Sequence, residues 1–137
     1  MASSVFPLEI TTPTRSFFSG DVHMLIITTP TGKMGIMRHH TPMIVAVESD
    51  VIALTIGGSV KQASVTSGFL EITDEKVILL VDSAEWPEEI DVNRALEAKR
   101  RAEERLHFKT SEREYVQSKA ALARAAARLR ATRRGKT

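Results

Sequence analysis

The sequence pattern changes abruptly at Glu85–Ala95, and this change constrains the fold more than any other feature of the chain. Before this segment, apolar and polar residues tend to alternate, and the turns are rich in Gly, Thr and Pro. After it, neither Gly nor Pro occurs until Gly135, and Ala, Leu, Arg, Lys and Glu predominate. Alternation indicates β-strands, whereas a period of about 3.6 residues indicates helices. The chain is therefore predicted to consist of a β-rich part followed by a helical part.

The junction itself carries residues that suit the end of a sheet and the start of a helix. Pro87 lacks an N–H donor and favours extended geometry at Trp86, which precedes it. Asp91 has a side-chain acceptor that can cap a following helix. We therefore predict one domain over residues 1–86 and a second over residues 87–137.

The first domain is predicted to contain many short strands with no helix between them, which is typical of a sandwich or a barrel. Gly57-Gly58 and Thr73–Glu75 are predicted to close hairpins, and Gly20-Asp21, Gly32 and Gly35 are interpreted as turn residues. The predicted strands are Val5–Thr12, Arg15–Phe18, Val22–Thr29, Met43–Val47, Val51–Ile56, Ser59–Thr66, Phe69–Ile72 and Val77–Val81.

Two helices are predicted in the second domain, separated by a break at His107–Thr110. The first has an apolar stripe on one face that contains Val92, Ala95, Leu96, Lys99, Ala102 and Leu106. The second begins at a capping box from Ser111 to Glu114, and its seam contains Tyr115, Lys119, Leu122, Ala126 and Leu129. A short linker favours an antiparallel hairpin. Because this seam is rich in Ala, and burial contributes only ~0.8 kcal/mol per methylene, we expect the hairpin to be weakly held and mobile.

Charge is divided unevenly between the two parts. Residues 1–87 contain five Lys/Arg and nine Asp/Glu, for a net charge of −4, whereas residues 88–137 contain fourteen and eight, for +6. From Tyr115 to Thr137 there are seven basic residues and no acidic one. A segment of this kind is expected to bind an anionic partner.

Several classes of function have no support in the sequence. The absence of Cys excludes thiol catalysis and Cys-ligated zinc, and no signal peptide or membrane-spanning run is predicted. His39-His40 is a poor metal motif, because adjacent side chains rarely face one ion, so we predict no metal site. Neither a nucleophile elbow nor a phosphate-binding glycine loop occurs. We therefore predict that the chain is not an enzyme.

The arginines of the predicted helices allow two interpretations. On the first helix, Arg94 and Arg101 share a face, and Glu97 and Glu104 lie at the spacing of ordinary helical ion pairs. On the second helix, no acidic residue lies within reach of Arg124 and Arg128 along the helix. Those two side chains either sit in water or meet an outside partner.

The sharper hypothesis is that both arginine pairs converge on a polyphosphate, with Asp91 and Glu85 available to hydrogen-bond a ribose or a base. At about 100° per residue, Arg124 and Arg128 fall nearly opposite the predicted Leu seam. A nucleotide could therefore bridge the helices only if they packed through an alternative Ala stripe, which contains Ala120, Ala123 and Ala127.

Three stretches, taken together, resemble motifs of the epsilon subunit of bacterial F-type ATP synthases. Residues 31–42, Thr-Gly-Lys-Met-Gly-Ile-Met-Arg-His-His-Thr-Pro, resemble the Gly-x-x-Gly-Ile-Leu-Pro-x-His-x-Pro loop of that family. Residues 65–71, Val-Thr-Ser-Gly-Phe-Leu-Glu, resemble its Val-x-Gly-Gly-Phe-x-Glu strand. Residues 90–95, Ile-Asp-Val-Asn-Arg-Ala, fit its Ile/Leu-Asp-x-x-Arg-Ala motif. The resemblance covers almost the whole chain.

This resemblance implies an α+β chain, with an N-terminal β-sandwich of about ten short strands followed by a C-terminal antiparallel helical hairpin. It implies that the sandwich binds the gamma subunit and the c-ring, so that the subunit turns with the rotor at the cytoplasmic face of the bacterial cell membrane. It also implies that the extended hairpin reaches the alpha and beta subunits and inhibits ATP hydrolysis through basic residues.

The resemblance also implies roles for individual residues. The resemblance implies that the chain requires no cofactor and that ATP is only a regulatory ligand. The residues implied in ATP binding are Glu85, Ile90, Asp91, Arg94, Ala95, Arg101, Arg124 and Arg128. Those implied in the loop that faces the c-ring are Met34, Arg38, His39 and His40. Those implied in the inhibitory contact are Lys119, Arg124, Arg128, Arg130, Arg133 and Arg134.

A nucleic-acid-binding module that uses the basic hairpin is the alternative. It would bind DNA or RNA with a steep dependence on salt. Aromatic residues interleaved with basic ones, which commonly stack on bases in such modules, are absent from the hairpin sequence.

Overall fold

The computed structural model describes residues 4–107 and 111–135, with side chains described as far as Thr132. It contains ten strands in two sheets, followed by two helices. The strands are β1 (Phe6–Thr11), β2 (Ser16–Val22), β3 (Met24–Thr29), β4 (Gly32–Ile36), β5 (Met43–Val47), β6 (Asp50–Ile56), β7 (Ser59–Val65), β8 (Gly68–Ile72), β9 (Val77–Val81) and β10 (Ala84–Glu85). A 3-10 turn (Pro87–Glu89) leads into α1 (Val92–His107), and α2 (Glu112–Gly135) follows.

The two sheets pack face to face as a sandwich, which confirms the predicted fold class. The first sheet has the order β2-β1-β9-β8-β5, and the second has the order β10-β7-β6-β3-β4. β1 and β9 pair in parallel, whereas the other strand pairs are antiparallel. Alternate residues of most strands point inward and form one core, whose fully buried members include Leu8, Ile10, Leu25, Ile27, Leu54, Leu70 and Leu79.

Two predicted turns lie inside strands instead. Gly20-Asp21 belongs to β2, where Gly20 pairs with Leu8 of β1. Gly35 belongs to β4 and pairs with Ile26 of β3, although Gly32 does have the positive φ of a turn residue, +131°. In both cases the neighbouring strand supplies hydrogen-bond partners that outweigh the weak local strand propensity of Gly. β4 was therefore not predicted from the sequence, and neither was the two-residue β10.

The junction is held against the sandwich by a group of contacts around Trp86. Trp86 has the extended geometry that Pro87 favours, with φ −73° and ψ 155°, and its ring stacks on Phe17 with centroids 4.3 Å apart. The Arg15 guanidinium donates to the Ala84 carbonyl at 3.1 Å and to Glu89 Oε1 at 2.9 Å. The hydrogen bond from Arg15 is the main reason why the pKa of Glu89 lies below its usual value.

Both helices begin at the residues that the sequence predicts. Asp91 Oδ1 accepts a hydrogen bond from the Arg94 N–H at 3.1 Å, which caps α1. Ser111 Oγ accepts one from the Glu114 N–H at 3.2 Å, which caps α2. Among the described residues, neither helix is long and apolar enough to span a bilayer.

The helices form an antiparallel pair that packs through small residues. The end of α1 and the start of α2 line one cleft, in which Arg101 and Arg105 lie beside Gln117 and Ser118. At the opposite end, Ile90, just before α1, lies in one apolar cluster with Ala131 of α2.

The packing faces agree only in part with the two seams considered from the sequence, since Leu129 of the first seam is buried. The buried residues at the helix contact are Ala95 and Ala102 of α1 and Ser118 and Ala125 of α2. Lys99, Leu122 and Ala126 are half-buried, whereas Leu96, Lys119, Ala120 and Ala123 are exposed. Small residues allow the helices to approach closely, so the α2 face centres on Ala125, between the Leu122/Leu129 side and the Arg124/Arg128 side.

Candidate functional site

The hairpin contacts the sandwich through two ion pairs that join residues far apart in the sequence. The first links Glu85, at the end of β10, to Arg128 in α2, with Arg128 Nε donating to Glu85 Oε1 at 2.6 Å. Both side chains are partly exposed. The bond therefore joins the edge of the second sheet to the penultimate turns of the hairpin.

The second ion pair links Asp50, the first residue of β6, to Arg130. Asp50 Oδ1 accepts from Arg130 Nη2 at 2.8 Å and from the Val51 N–H at 2.7 Å. Asp50 Oδ2 accepts from Thr28 Oγ1 at 2.7 Å, and Lys33 Nζ lies 3.7 Å from the same oxygen. Each carboxylate oxygen therefore has at least one sandwich partner in addition to the contact with the hairpin.

The surroundings of Asp50 favour its charged form. Burial by itself would raise the pKa of this carboxyl. The hydrogen bonds from Thr28, the Val51 N–H and Arg130 outweigh that effect and lower the pKa from 3.8 to about 2. Asp50 is therefore a carboxylate throughout the neutral range of pH.

A small apolar cluster lies between the ion pairs. It contains Val51 of β6, Ile90 of the junction and Ala131 of α2. Ala127, one turn earlier on α2, is also buried. The apolar part of this contact is narrow, because the helix contributes methyl groups rather than large side chains.

The structure brings some of the residues implied in ATP binding into direct contact and leaves others apart. Glu85 is bonded to Arg128, and Ile90 and Ala95 are buried. Asp91 caps α1. Arg101 is 3.9 Å from Glu97 of its own helix. Within the described part of the chain, Arg94 and Arg124 are exposed and take part in no ion pair.

The four arginines nevertheless lie on the same side of the hairpin. Arg94 and Arg101 each precede a buried Ala of α1 by one residue, and Arg124 precedes the buried Ala125 of α2. In an antiparallel pair, residues that precede the contact face by one position project to the same side of both helices. Arg128 lies about 40° from Arg124 around α2 and faces that side too.

The residues of the predicted c-ring loop differ in exposure. Met34 is half-buried in β4, where it packs against the sandwich core. Arg38 and His39 are exposed, and His39 has a φ of +68°. His40 is half-buried, with Nδ1 2.9 Å from the Thr41 carbonyl oxygen. Only part of the predicted loop is therefore available to a partner in this conformation.

The residues implied in the inhibitory contact also differ. Lys119 is exposed, with Nζ 5.4 Å from the centre of the Tyr115 ring. Arg128 and Arg130 are bonded to the sandwich, and Arg124 is exposed. The side chains of Arg133 and Arg134 lie outside the described part of the structure.

Sequence reasoning missed Asp50 and Arg130 as a pair. They are 80 positions apart, and each has an ordinary local interpretation, one at the start of a strand and one on a basic helix. The uneven charge of the two parts was the only signal that pointed toward such a contact. Among the residues that the structure describes, no group of three or more His, Asp or Glu could hold a metal ion.

Comparisons with known proteins account for almost the whole chain. The family described as ATP synthase, Delta/Epsilon chain, beta-sandwich domain matches residues 5–87, and the one described as ATP synthase, Delta/Epsilon chain, long alpha-helix domain matches residues 88–133. The ATP synthase epsilon chain of Ruminiclostridium cellulolyticum is 49% identical over 131 residues, which cover 96% of this chain and 98% of that protein.

Solved structures share the fold. A chain of the Euglena gracilis mitochondrial ATP synthase (OSCP/F1/c-ring) superposes with a TM-score of 0.80 at 22% identity, over 93% of this chain and 81% of that one. A chain of the Tetrahymena thermophila mitochondrial ATP synthase (central stalk/c-ring) has a TM-score of 0.66 at 8% identity, over 93% and 96%. The family matches, the identity to a curated relative and the two-part architecture agree, and the chain therefore belongs to the epsilon-chain family of ATP synthases.

Proposed function

We propose that this chain is a non-catalytic central-stalk subunit that couples the gamma subunit to the c-ring and restrains ATP hydrolysis through its hairpin. The curated relatives are ATP synthase epsilon chains, and the structural neighbours come from assemblies that contain the c-ring. In this role the chain sits at the cytoplasmic face of the bacterial cell membrane through the complex. The nucleic-acid alternative has no support among these relatives.

The observation that carries the regulatory part of the proposal is the narrow contact between hairpin and sandwich. Partly exposed ion pairs such as Glu85–Arg128 are typically worth about 0–1 kcal/mol each. Burial of two large side chains, Val51 and Ile90, contributes on the order of 3–6 kcal/mol as an upper limit. A difference of a few kcal/mol between two states can be overturned by a ligand or partner that prefers one of them. The free energy that holds the hairpin against the sandwich is therefore small enough for a ligand or partner to reverse the equilibrium between the docked and undocked hairpin.

The outer face of the first sheet is the surface that we assign to the gamma subunit. It exposes 70% of Ile44, 59% of Phe69 and 49% of Leu80. Phe69 pairs with Leu80 on one side and with Ala46 on the other, so that Ala46, Phe69 and Leu80 form one row across three strands. Ile44, two residues before Ala46 on β5, lies on the same face and pairs with Glu71. A contiguous apolar patch on a sheet suits a protein partner. The exposed Arg38 and His39 lie in a separate loop, which we assign to the c-ring.

The side of the hairpin that carries the four arginines, here called the shared side, is the surface that we assign to ATP. Arg94, Arg101, Arg124 and Arg128 present guanidinium groups there, and such groups bind phosphate oxygens in a bidentate manner. Arg128 is already bonded to Glu85, so phosphate binding would have to share or replace that bond. A nucleotide that bridges both helices would favour the compact hairpin.

Deletion of residues 88–137 tests the regulatory proposal. In a reconstituted complex, the remaining sandwich should still bind gamma, and ATP hydrolysis should rise because the inhibitory segment is gone. Hydrolysis equal to that of the complex with the full chain would contradict the proposal.

Calorimetric titration with ATP tests the nucleotide surface. Arg124→Ala should weaken binding, because it removes a phosphate donor on the shared side. Arg100→Ala is the matched control, since Arg100 lies about 100° around α1 from Arg101, on the face that points away from α2, and bonds to Glu104 at 2.8 Å. Equal ATP affinity of the two variants would overturn this assignment.

A further inference from the structure

The site around Asp50 is built by the sandwich itself. Thr28 of β3 and the Val51 N–H of β6 hold the carboxylate, with hydrogen bonds of 2.7 Å each. Neither donor belongs to the hairpin, so these contacts do not depend on α2. The carboxylate is thus oriented in advance, in the way that favours binding of a guanidinium.

A second cation lies close enough to Asp50 to compensate it if Arg130 departs. Lys33 Nζ is 3.3 Å from Thr28 Oγ1 and 3.7 Å from Asp50 Oδ2. A partly buried carboxylate such as Asp50 is disfavoured when it has no cation nearby. Since Lys33 remains on β4, release of the hairpin would not leave Asp50 without a cationic neighbour. The site is therefore compatible with both occupied and empty states.

The two ion pairs hold α2 from different sides. Arg128 and Arg130 are two residues apart, which places their side chains about 200° apart around the helix. One bonds to Glu85 of β10 and the other to Asp50 of β6. The methyl group of Ala131 is buried between these anchors. Two separate carboxylates of the sandwich therefore bind the last turns of α2.

We propose that Asp50 is an internal guanidinium receptor that, together with Glu85, occupies arginines of the hairpin and so withholds them from an acidic partner protein. Asp50 already neutralises the Arg130 charge in the docked hairpin, so an external carboxylate gains less from that guanidinium until the hairpin is released, and the two contacts compete. Because α2 has no acidic residue after Glu114, its basic side chains depend on carboxylates from elsewhere. The proposal deepens the proposed function and rests on its premise that the hairpin can leave the sandwich.

The composition of the chain allows a direct test in the isolated protein. Trp86 is the only Trp, it stacks on the sandwich, and there is no Cys. Ala120 is exposed on α2, so Ala120→Cys can carry a fluorescent acceptor, and energy transfer from Trp86 then reports docking of the hairpin. The acidic partner is represented by a poly-glutamate peptide, which is added at constant salt because ionic strength screens exposed pairs.

Asp50→Asn should shift the equilibrium toward the undocked hairpin by up to about fivefold, because the ion pair with Arg130 is lost. The variant should then bind the peptide more tightly by a similar factor, up to about fivefold, because a larger fraction of the chain is competent to bind. Glu9→Gln is the matched control, since it removes the same charge from a sandwich ion pair, with Lys76 at 3.4 Å, that does not touch the hairpin.

The outcomes separate the inference from the proposed function. If the peptide undocks the hairpin of the parent chain, but Asp50→Asn behaves like Glu9→Gln, the receptor role of Asp50 is wrong. If the peptide undocks neither chain, the mobile hairpin itself is refuted. Should Asp50→Asn fail to fold, Arg130→Gln breaks the same bond from the partly exposed helix side and must also lower energy transfer.

Discussion

Replacement of Gly68 by Ala should damage the sandwich severely, although it adds only one methyl group. Gly68 begins β8 and pairs with Val81 of β9. A Cβ at this position would overlap the carbonyl oxygen of Leu80 and lie 2.8 Å from both the Leu80 carbonyl carbon and Val81 Cα. All three atoms belong to the backbone of β9, so no change of side-chain rotamer can relieve the contact.

The magnitude follows from what must move. Overpacking that shifts the backbone costs about 1–3 kcal/mol and occasionally more. Displacement of β9 also weakens hydrogen bonds at the start of the β8–β9 ladder, each of which contributes about 1 kcal/mol. We therefore expect Gly68→Ala to lower the free energy of unfolding by about 3 kcal/mol or more. For a domain of this size, that loss corresponds to a Tm lower by at least about 12 °C.

Thermal unfolding followed by circular dichroism measures this effect, and the chain offers a matched control. Gly58 lies in the β6–β7 turn, has no positive φ, and a Cβ there would meet nothing within 4 Å. Gly58→Ala should change the free energy of unfolding by no more than about 0.5 kcal/mol. If Gly68→Ala and Gly58→Ala unfold at the same temperature, the close approach of β8 and β9 is not what requires glycine at Gly68.

Three further predictions concern the core, the helix cap and pH. Leu54→Ala should lower the free energy of unfolding by about 2–5 kcal/mol in urea titrations, because Leu54 is fully buried; a loss below about 1 kcal/mol would contradict this. Asp91→Ala should destabilise the first turn of α1 by about 0.5–2 kcal/mol, seen as faster amide exchange at Arg94, with unchanged exchange counting against the cap. The pKa of Asp50 is lowered from 3.8 to about 2, so its contribution to docking is present above about pH 4 and is lost as pH falls toward 2. Docking measured by energy transfer should therefore be constant from about pH 5 to 8, and loss of docking in that range would refute the role of this carboxylate.

Much of the fold could be predicted because the strands of the sandwich follow local patterns. β5 and β9 occur at the predicted residues, Met43–Val47 and Val77–Val81, since both are short apolar runs bounded by turn residues. β4 escaped prediction because Gly32–Ile36 contains two glycines and has little strand character of its own. It forms a strand because β3 is available to pair with it, which is a tertiary effect.

Prediction of the site was more limited. The resemblance to a known family grouped Glu85 with Arg128, and the structure shows these two side chains in contact. Asp50–Arg130 could not be predicted, because no local pattern joins residues 80 positions apart. The face of α2 was predicted in part: Leu129 of the predicted seam is buried and Leu122 is half-buried, whereas Lys119 is exposed. The buried Ala125 was missed because Leu122 and Leu129 dominate any hydrophobic pattern, whereas small side chains decide where two Ala-rich helices touch most closely. Ala125 therefore lies at the centre of the contact.

The contacts around Trp86 have a mechanical consequence for the hairpin. Arg15 and Phe17 hold the chain as far as Glu89, and Asp91 already caps the rigid rod of α1. The torsions that remain for a pivot are those near Ile90. Since α1 has 16 residues and a rise of about 1.5 Å each, its far end lies about 24 Å from that pivot, and a turn of about 60° would carry it an equal distance. Because the pivot lies directly before the start of α1, a change in two or three backbone torsions near Ile90 is enough to move the far end of the helix by that distance.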